Sequence, residues 1–203
     1  MSTFDQDLNK EHLLGQFLDE IYEKLNLNFT RIAESELQNK GVDLIVIPSG
    51  KEYYIDEKAQ LDYLGHCLPT FTFELSYLKN GKWRKGWLFD KNKITDHYFL
   101  ITGIFIKTES IEGGFKNCSI TSVDVRKLRK YLENIGLGWD ILSDLDGQIR
   151  HSDQKQNIPL RSLKEREEGC LYYSVQKDEK PLNLKIYLKW LIKIGVAKKI
   201  YPL

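Results

Sequence analysis

Cysteine is scarce in this chain of 203 residues. Cys67, Cys118 and Cys170 are the three, odd in number and far apart, with no Cys-x-x-Cys pair and no histidine at ligand spacing. That excludes a disulfide framework and a cysteine-built zinc site, and leaves isolated reduced thiols. Five prolines and 14 glycines are too few for a collagen-like or proline-rich chain. No apolar run approaches the roughly 20 residues that a bilayer crossing needs. The polar, acidic opening through His12 has no apolar signal core. A cytoplasmic location and no membrane partner are the expectation. Internal repeats and low-complexity segments are also missing. His12, His66, His97 and His151 are scattered, and no serine or cysteine has a nucleophile's setting, so a hydrolase triad is not expected. Glu112-Gly113-Gly114 lacks the flanks of a phosphate-binding loop and reads as a turn.

What is present is a globular composition, 41% hydrophobic, 29% charged and 12% aromatic. The formal net charge of +1 hides an asymmetry. Residues 1–40 carry eight acids against four bases, and residues 177–203 carry seven lysines against Asp178 and Glu179. Residues 79–93 carry six bases and one acid. Local positive surface of this kind holds polyanions, although solvated lysine faces are common.

The pattern of apolar residues gives the elements. Leu14, Phe17, Leu18, Ile21, Tyr22 and Leu25 recur at helical spacing and predict an amphipathic helix over residues 8–25. Phe29-Thr30-Arg31-Ile32 suits a short strand. Residues 42–47 form a β-branched run holding one acid, residues 48–51 a turn, and residues 52–58 a returning strand. Residues 61–68 read as helical or irregular. Residues 71–78 alternate as a strand does. Asn80-Gly81 signals a hairpin whose partner is residues 83–89. Residues 98–106 suit a central strand. Ser122 can cap a helix over residues 123–135, stopped by Gly136. Residues 138–170 carry no clear period. A strand at 182–186 and a helix from about 187 to 197 close the chain. This order predicts an α/β (α+β) fold with a central mixed sheet flanked by helices, in a single domain over residues 1–203.

One constellation carries chemistry. Asp-x-Lys occurs three times, at Asp56, Asp153 and Asp178, roughly what composition gives by chance. Only Asp56-Glu57-Lys58 ends an expected strand, and only it follows a strand with a lone acid, Asp43. Alternation puts Asp56, Lys58 and Gln60 on one face and Glu57 on the other. If the two strands pair, Asp43 comes beside Asp56, and two carboxylates that close need a cation between them. Mg²⁺ suits an all-oxygen donor set completed by water and phosphate. Glu74 sits mid-strand between Thr72 and Ser76. It completes that site if its strand lies beside Asp56–Lys58, and is an ordinary surface acid if its strand is an edge.

The stretches Gln38-Asn39-Lys40-Gly41-Val42-Asp43 and Tyr54-Ile55-Asp56-Glu57-Lys58-Ala59-Gln60 resemble the PD-(D/E)xK nuclease superfamily. Their Gly-Val-Asp and Asp-x-Lys-x-Gln look most like its Mrr-type and RecB-type branches, with Val42 in place of the proline. The resemblance follows element order over about residues 8–108 and is specific over 38–60. It implies a restriction-endonuclease-like core over about 8–135 with a C-terminal extension over about 136–203. It implies phosphodiester hydrolysis with Mg²⁺ or Mn²⁺, on DNA in preference to RNA, and it accommodates a homodimer. It assigns Asp43 and Asp56 as metal ligands, Lys58 to the water and phosphate, and Gln60 as a supporting polar contact. Glu20 is the candidate for an upstream helix acid, beside Asp19 and Glu23. Lys82, Arg84, Lys85, Arg126, Lys130, Lys189 and Lys193 are the candidates for holding nucleic-acid phosphates. Trp83, Arg84, Lys85 and Trp87 mix bases with aromatics as single-strand platforms do, and as a hairpin with core tryptophans does too. The alternative function is a non-catalytic nucleic-acid-binding or interaction protein that keeps the fold.

Overall fold

The computed structural model describes residues 3–150 and 156–202. His151 and the tripeptide from Asp153 to Lys155 lie outside them. The chain begins α1 (Thr3–Lys24), β1 (Phe29–Arg31), α2 (Ser35–Asn39), β2 (Leu44–Val46), β3 (Tyr53–Ala59), β4 (Thr70–Lys79), β5 (Lys82–Lys85) and β6 (His97–Ile106). It continues β7 (Phe115–Asp124), α3 (Val125–Asn134), α4 (Trp139–Arg150), β8 (Asn157–Ile158), β9 (Gly169–Tyr173), β10 (Leu182–Tyr187), α5 (Leu188–Lys193) and β11 (Ala197–Tyr201). The fold is mixed α/β. Among the described residues no helix is long and apolar enough to cross a membrane.

The chain divides into two compact units. The first comprises Met1–Leu68, Ile94–Ser122 and Lys199–Leu203, and the second Pro69–Lys93 and Val123–Lys198. The boundary expected near residue 135 falls inside the second. In the first unit the strands run in the order β1-β2-β3-β6-β7-β11. β2 pairs antiparallel with β1 and β3, whereas β3 and β6 run parallel, so the sheet is mixed. Parallel neighbours need a long connection, and here the segment joining β3 to β6 contains β4 and β5. Leu14, Leu18, Ile21 and Tyr22 of α1 are buried with Ile55, Phe99, Ile101 and Phe115 of the sheet. The helical stripe read in the sequence is therefore the packed face.

The second unit holds a five-stranded sheet, β5-β4-β10-β9-β8. Its hairpin turns on Asn80 (φ 52°) and Gly81 (φ 70°), the left-handed pair that a two-residue turn requires. β5 is shorter than the expected 83–89. It ends at Lys85 because Gly86 turns in against β4, its N–H donating to the Leu75 carbonyl at 2.7 Å, and a Cβ there would strike the Glu74 backbone.

Three other elements differ from expectation. Residues 115–124 form β7, and Asp124, not Ser122, caps the helix by accepting from the Lys127 N–H at 2.9 Å. Ser122 instead meets His97 Nδ1 at 3.2 Å. The last helix stops at Lys193, near Gly195 with its φ of 72°, and the chain re-enters a strand at Ala197. Residues 138–170 supply α4, β8 and the start of β9.

Candidate active site

The register Leu44↔Ile55 continued by one step sets Asp43 opposite Asp56. Asp43 closes the end of the ladder with its side chain. Its N–H donates to the Ile55 carbonyl at 2.8 Å, its carbonyl accepts from Ile32 N–H at 2.8 Å, and its Oδ2 accepts the Glu57 N–H at 2.7 Å. A carboxylate thus stands where a backbone carbonyl would otherwise receive the strand's N–H.

Asp56 and Glu57 point to opposite faces of β3, as alternation demands. Asp56 is 1% exposed. Its Oδ1 pairs with the Lys58 ammonium, and its Oδ2 is buried with no hydrogen-bond partner among the described residues. Burial lifts the Asp56 carboxyl from the ordinary 3.8 to about 6; Lys58 works against the rise, and the charge of Asp43 adds to it. Glu57 is also pushed up by burial, but both its oxygens are engaged. Oε1 accepts from Tyr22 Oη at 2.5 Å and Oε2 from Arg31 Nη1 at 2.7 Å. Arg31 also grips Asp19, its Nη2 2.5 Å from Oδ1, and donates to the Gly15 carbonyl at 3.3 Å. Burial, then the neighbouring Glu57 charge, raises the Tyr22 hydroxyl well above its usual range, so it remains a donor.

A cleft of about 420 Å³ opens at this end of the sheet. Asp43, Glu57 and Lys58 line it with Arg31 and Glu11. Asp56, on the face of β3 opposite Glu57, is not on the cleft wall. Gln60 lies one residue past β3, its N–H donating to Ile101 at 3.0 Å, and it too is off the wall.

Two of the expected metal carboxylates stand elsewhere. Glu20 has a side chain 67% exposed and faces Lys24 at 3.9 Å, so it projects into solvent. The helix acid on the cleft wall is Glu11. It shares a helical stripe with Leu14 and Leu18, which was the signal that separates it from Glu20. Glu74 lies on β4, in the other sheet, with Asn183 of β10 opposite. It is not a strand neighbour of Asp56–Lys58, because β2 and β6 flank β3. Sequence reading also missed Arg31 and Tyr22.

The donor set can be tested for a divalent cation. Among the described residues no group of three or more His, Cys, Asp or Glu is arranged to hold a metal ion. Two carboxylates remain, Asp43 and Asp56, one with an unused buried oxygen. Mg²⁺ often takes only one or two protein carboxylates and keeps waters and substrate phosphate as its other ligands. The residues fit that requirement. The candidate phosphate contacts all belong to the second unit: Lys82, Arg84 and Lys85 on β5, exposed Arg126 and Lys130 on α3, and exposed Lys189 and Lys193 on α5. Cys118 offers no nucleophile, since burial, and then the Glu57 charge, push its thiol up to about 12.

Comparison with protein-family models, with curated proteins and with solved structures finds no match to this chain.

Proposed function

We propose that the end of β3 around Asp43, Asp56 and Lys58 hydrolyses nucleic-acid phosphodiesters with a divalent cation, within a restriction-endonuclease-like core, and that DNA is its substrate. The observation that carries this reading is the buried Oδ2 of Asp56, which meets no donor among the described residues and lies against the Asp43 carboxylate. Such an oxygen costs stability unless something binds it.

Asp43 and Asp56 would hold the cation, which would supply polarisation of a phosphoryl oxygen and a water of lowered pKa. Lys58 neutralises Asp56 in the cation's absence. From the cleft wall that it lines, the Lys58 ammonium orients the attacking water and offsets phosphate charge. Arg31 and Tyr22 keep Glu57 engaged, so the Glu57 carboxylate stays out of the donor set and only its N–H serves, by fixing Asp43. Glu11 adds negative charge on the cleft wall.

The test is cleavage of plasmid and of labelled oligonucleotides in Mg²⁺ and Mn²⁺ by the wild type and by Lys58→Ala. Cleavage by the wild type and its loss in a folded variant support the proposal. No cleavage by the wild type of any DNA or RNA substrate refutes it. The competing reading, a nucleic-acid-binding protein without catalysis, draws on one observation, the lack of a third metal-ligand side chain among the described residues.

A further inference from the structure

Strand β5 of the second unit presents a surface that the cleft does not use. It is the outermost strand of its sheet, and its residues are Lys82, Trp83, Arg84 and Lys85. Tryptophan is normally well buried, yet Trp83 is 47% exposed. Its ring is not loose. The Arg150 guanidinium carbon stands 3.4 Å from the ring centroid. Arg150 has a side chain only 6% exposed and is itself fixed. Its Nε faces Asp146 Oδ1 at 2.6 Å, its Nη2 donates to Ser76 Oγ at 2.6 Å, and its Nη1 donates to the Lys180 carbonyl at 3.1 Å. The Tyr173 ring lies 5.3 Å away. One face of the indole therefore stacks on a buried cation that is held by Asp146, Ser76 and the Lys180 carbonyl.

Cations lie on both faces of this strand. Alternation places Lys82 and Arg84, both exposed, on the face opposite Trp83 and Lys85. The Lys85 Nζ sits 3.6 Å from the centroid of Trp139. Across residues 79–93 six bases meet only Asp90.

We infer that β5 is a stacking subsite for single-stranded nucleic acid, in which Trp83 takes a base on its exposed ring and Lys82, Arg84 and Lys85 take the flanking phosphates. A rigid indole accepts any base, because every base has a π-face, and the lysines match a polyanion without reading sequence. In a duplex the bases already stack on each other, so the ring gains nothing there. An acidic peptide would satisfy the cations but would leave the held, half-exposed ring without a role. The inference uses only residues of the second unit and stands apart from the metal-dependent reading of the cleft.

The experiment is fluorescence anisotropy with the full chain and a chelator, so that no cleavage competes. The probes are labelled oligothymidylate and oligouridylate of about 20 nucleotides, and a mixed-sequence duplex of the same length. Trp83→Ala weakens single-strand binding about tenfold or more and leaves duplex binding nearly unchanged. Trp83→Phe, which still stacks, recovers most of the affinity and controls for folding. Combined Lys82→Gln and Arg84→Gln flattens the slope of log affinity against log salt by about 1.4 on single strands. The thymidylate and uridylate arms tell DNA from RNA, and tighter binding of either supports the inference. Wild-type affinity in Trp83→Ala, an equal loss on duplex and single strand, or no binding of any probe by the wild type overturns it in favour of an acidic protein partner.

Discussion

Arg150 in the second unit and Asp56 in the first are both buried ionisable side chains, and their surroundings differ. Arg150 has an opposite charge beside it, the Asp146 carboxylate at 2.6 Å, with a hydroxyl, a carbonyl and an aromatic ring on the rest of its guanidinium; its Nε meets that carboxylate as an ion pair without hydrogen-bond geometry. Asp56 has one ammonium, a second carboxylate working against it, and an oxygen with no hydrogen-bond partner among the described residues. A buried charge is tolerated when it is paired and hydrogen-bonded, and it is costly otherwise. Arg150 is thus architecture, holding α4 to β4 and β5. Asp56 is a local stability cost that the fold retains, and such costs concentrate where a ligand relieves them.

Substitutions sharpen this contrast. Arg150→Ala removes the cation from Asp146 and Trp83 and is expected to cost about 3–5 kcal/mol in urea denaturation. A loss under about 1 kcal/mol would mean that Arg150 is no better accommodated than Asp56. Lys58→Ala acts on chemistry as well as on stability. It lowers the cleavage rate by about 10²–10³, and it destabilises the fold near neutral pH by leaving the buried Asp56 carboxylate without its ammonium. A folded variant with unchanged cleavage would remove Lys58 from the site.

Asp56→Asn reads the cost through pH. The folded carboxyl keeps its proton to about pH 6, whereas an unfolded aspartate releases it near 3.8. Between those values the native state binds more protons, so the wild type loses stability as pH rises through this window. Asn does not titrate. With a chelator present, the stability of Asp56→Asn relative to wild type therefore rises by about 2.4 kcal/mol from pH 4 to pH 7. A difference that does not change with pH contradicts the buried, unrelieved carboxylate. The smallest effect is that of Tyr22→Phe, which deletes one hydrogen bond to Glu57 and costs about 1 kcal/mol in the same denaturation assay. Arg31 still pairs with Glu57 in that variant, so cleavage survives.

The contrast was only half legible in the sequence. The pairing of β2 with β3 followed from a β-branched run, a four-residue turn and a returning run, and it brought Asp43 opposite Asp56. Alternation alone put Lys58 with Asp56 and Glu57 on the other side. The partners of Glu57 were not legible, because Tyr22 and Arg31 lie 35 and 26 residues away and reach it only through the packing of α1 and β1. β7 was missed because Lys116, Asn117 and Ser119 blur its alternation, even though Phe115, Cys118 and Ile120 are buried. In the second unit, the sequence favoured Trp83 as a core residue of a hairpin over a platform, whereas it is 47% exposed. Its exposure depends on Arg150, which is distant in sequence and gave no signal of its own.

The claim at the centre of this account is that Asp43 and Asp56 together bind a divalent cation. Isothermal titration of Mn²⁺ or Mg²⁺ into the full chain, beside Asp56→Asn and Asp43→Asn, tests it without depending on cleavage. Saturable binding heat is expected in the wild type and its loss in both variants, with the fold intact by circular dichroism. Absence of heat in the wild type, or the same isotherm in Asp56→Asn, would contradict it.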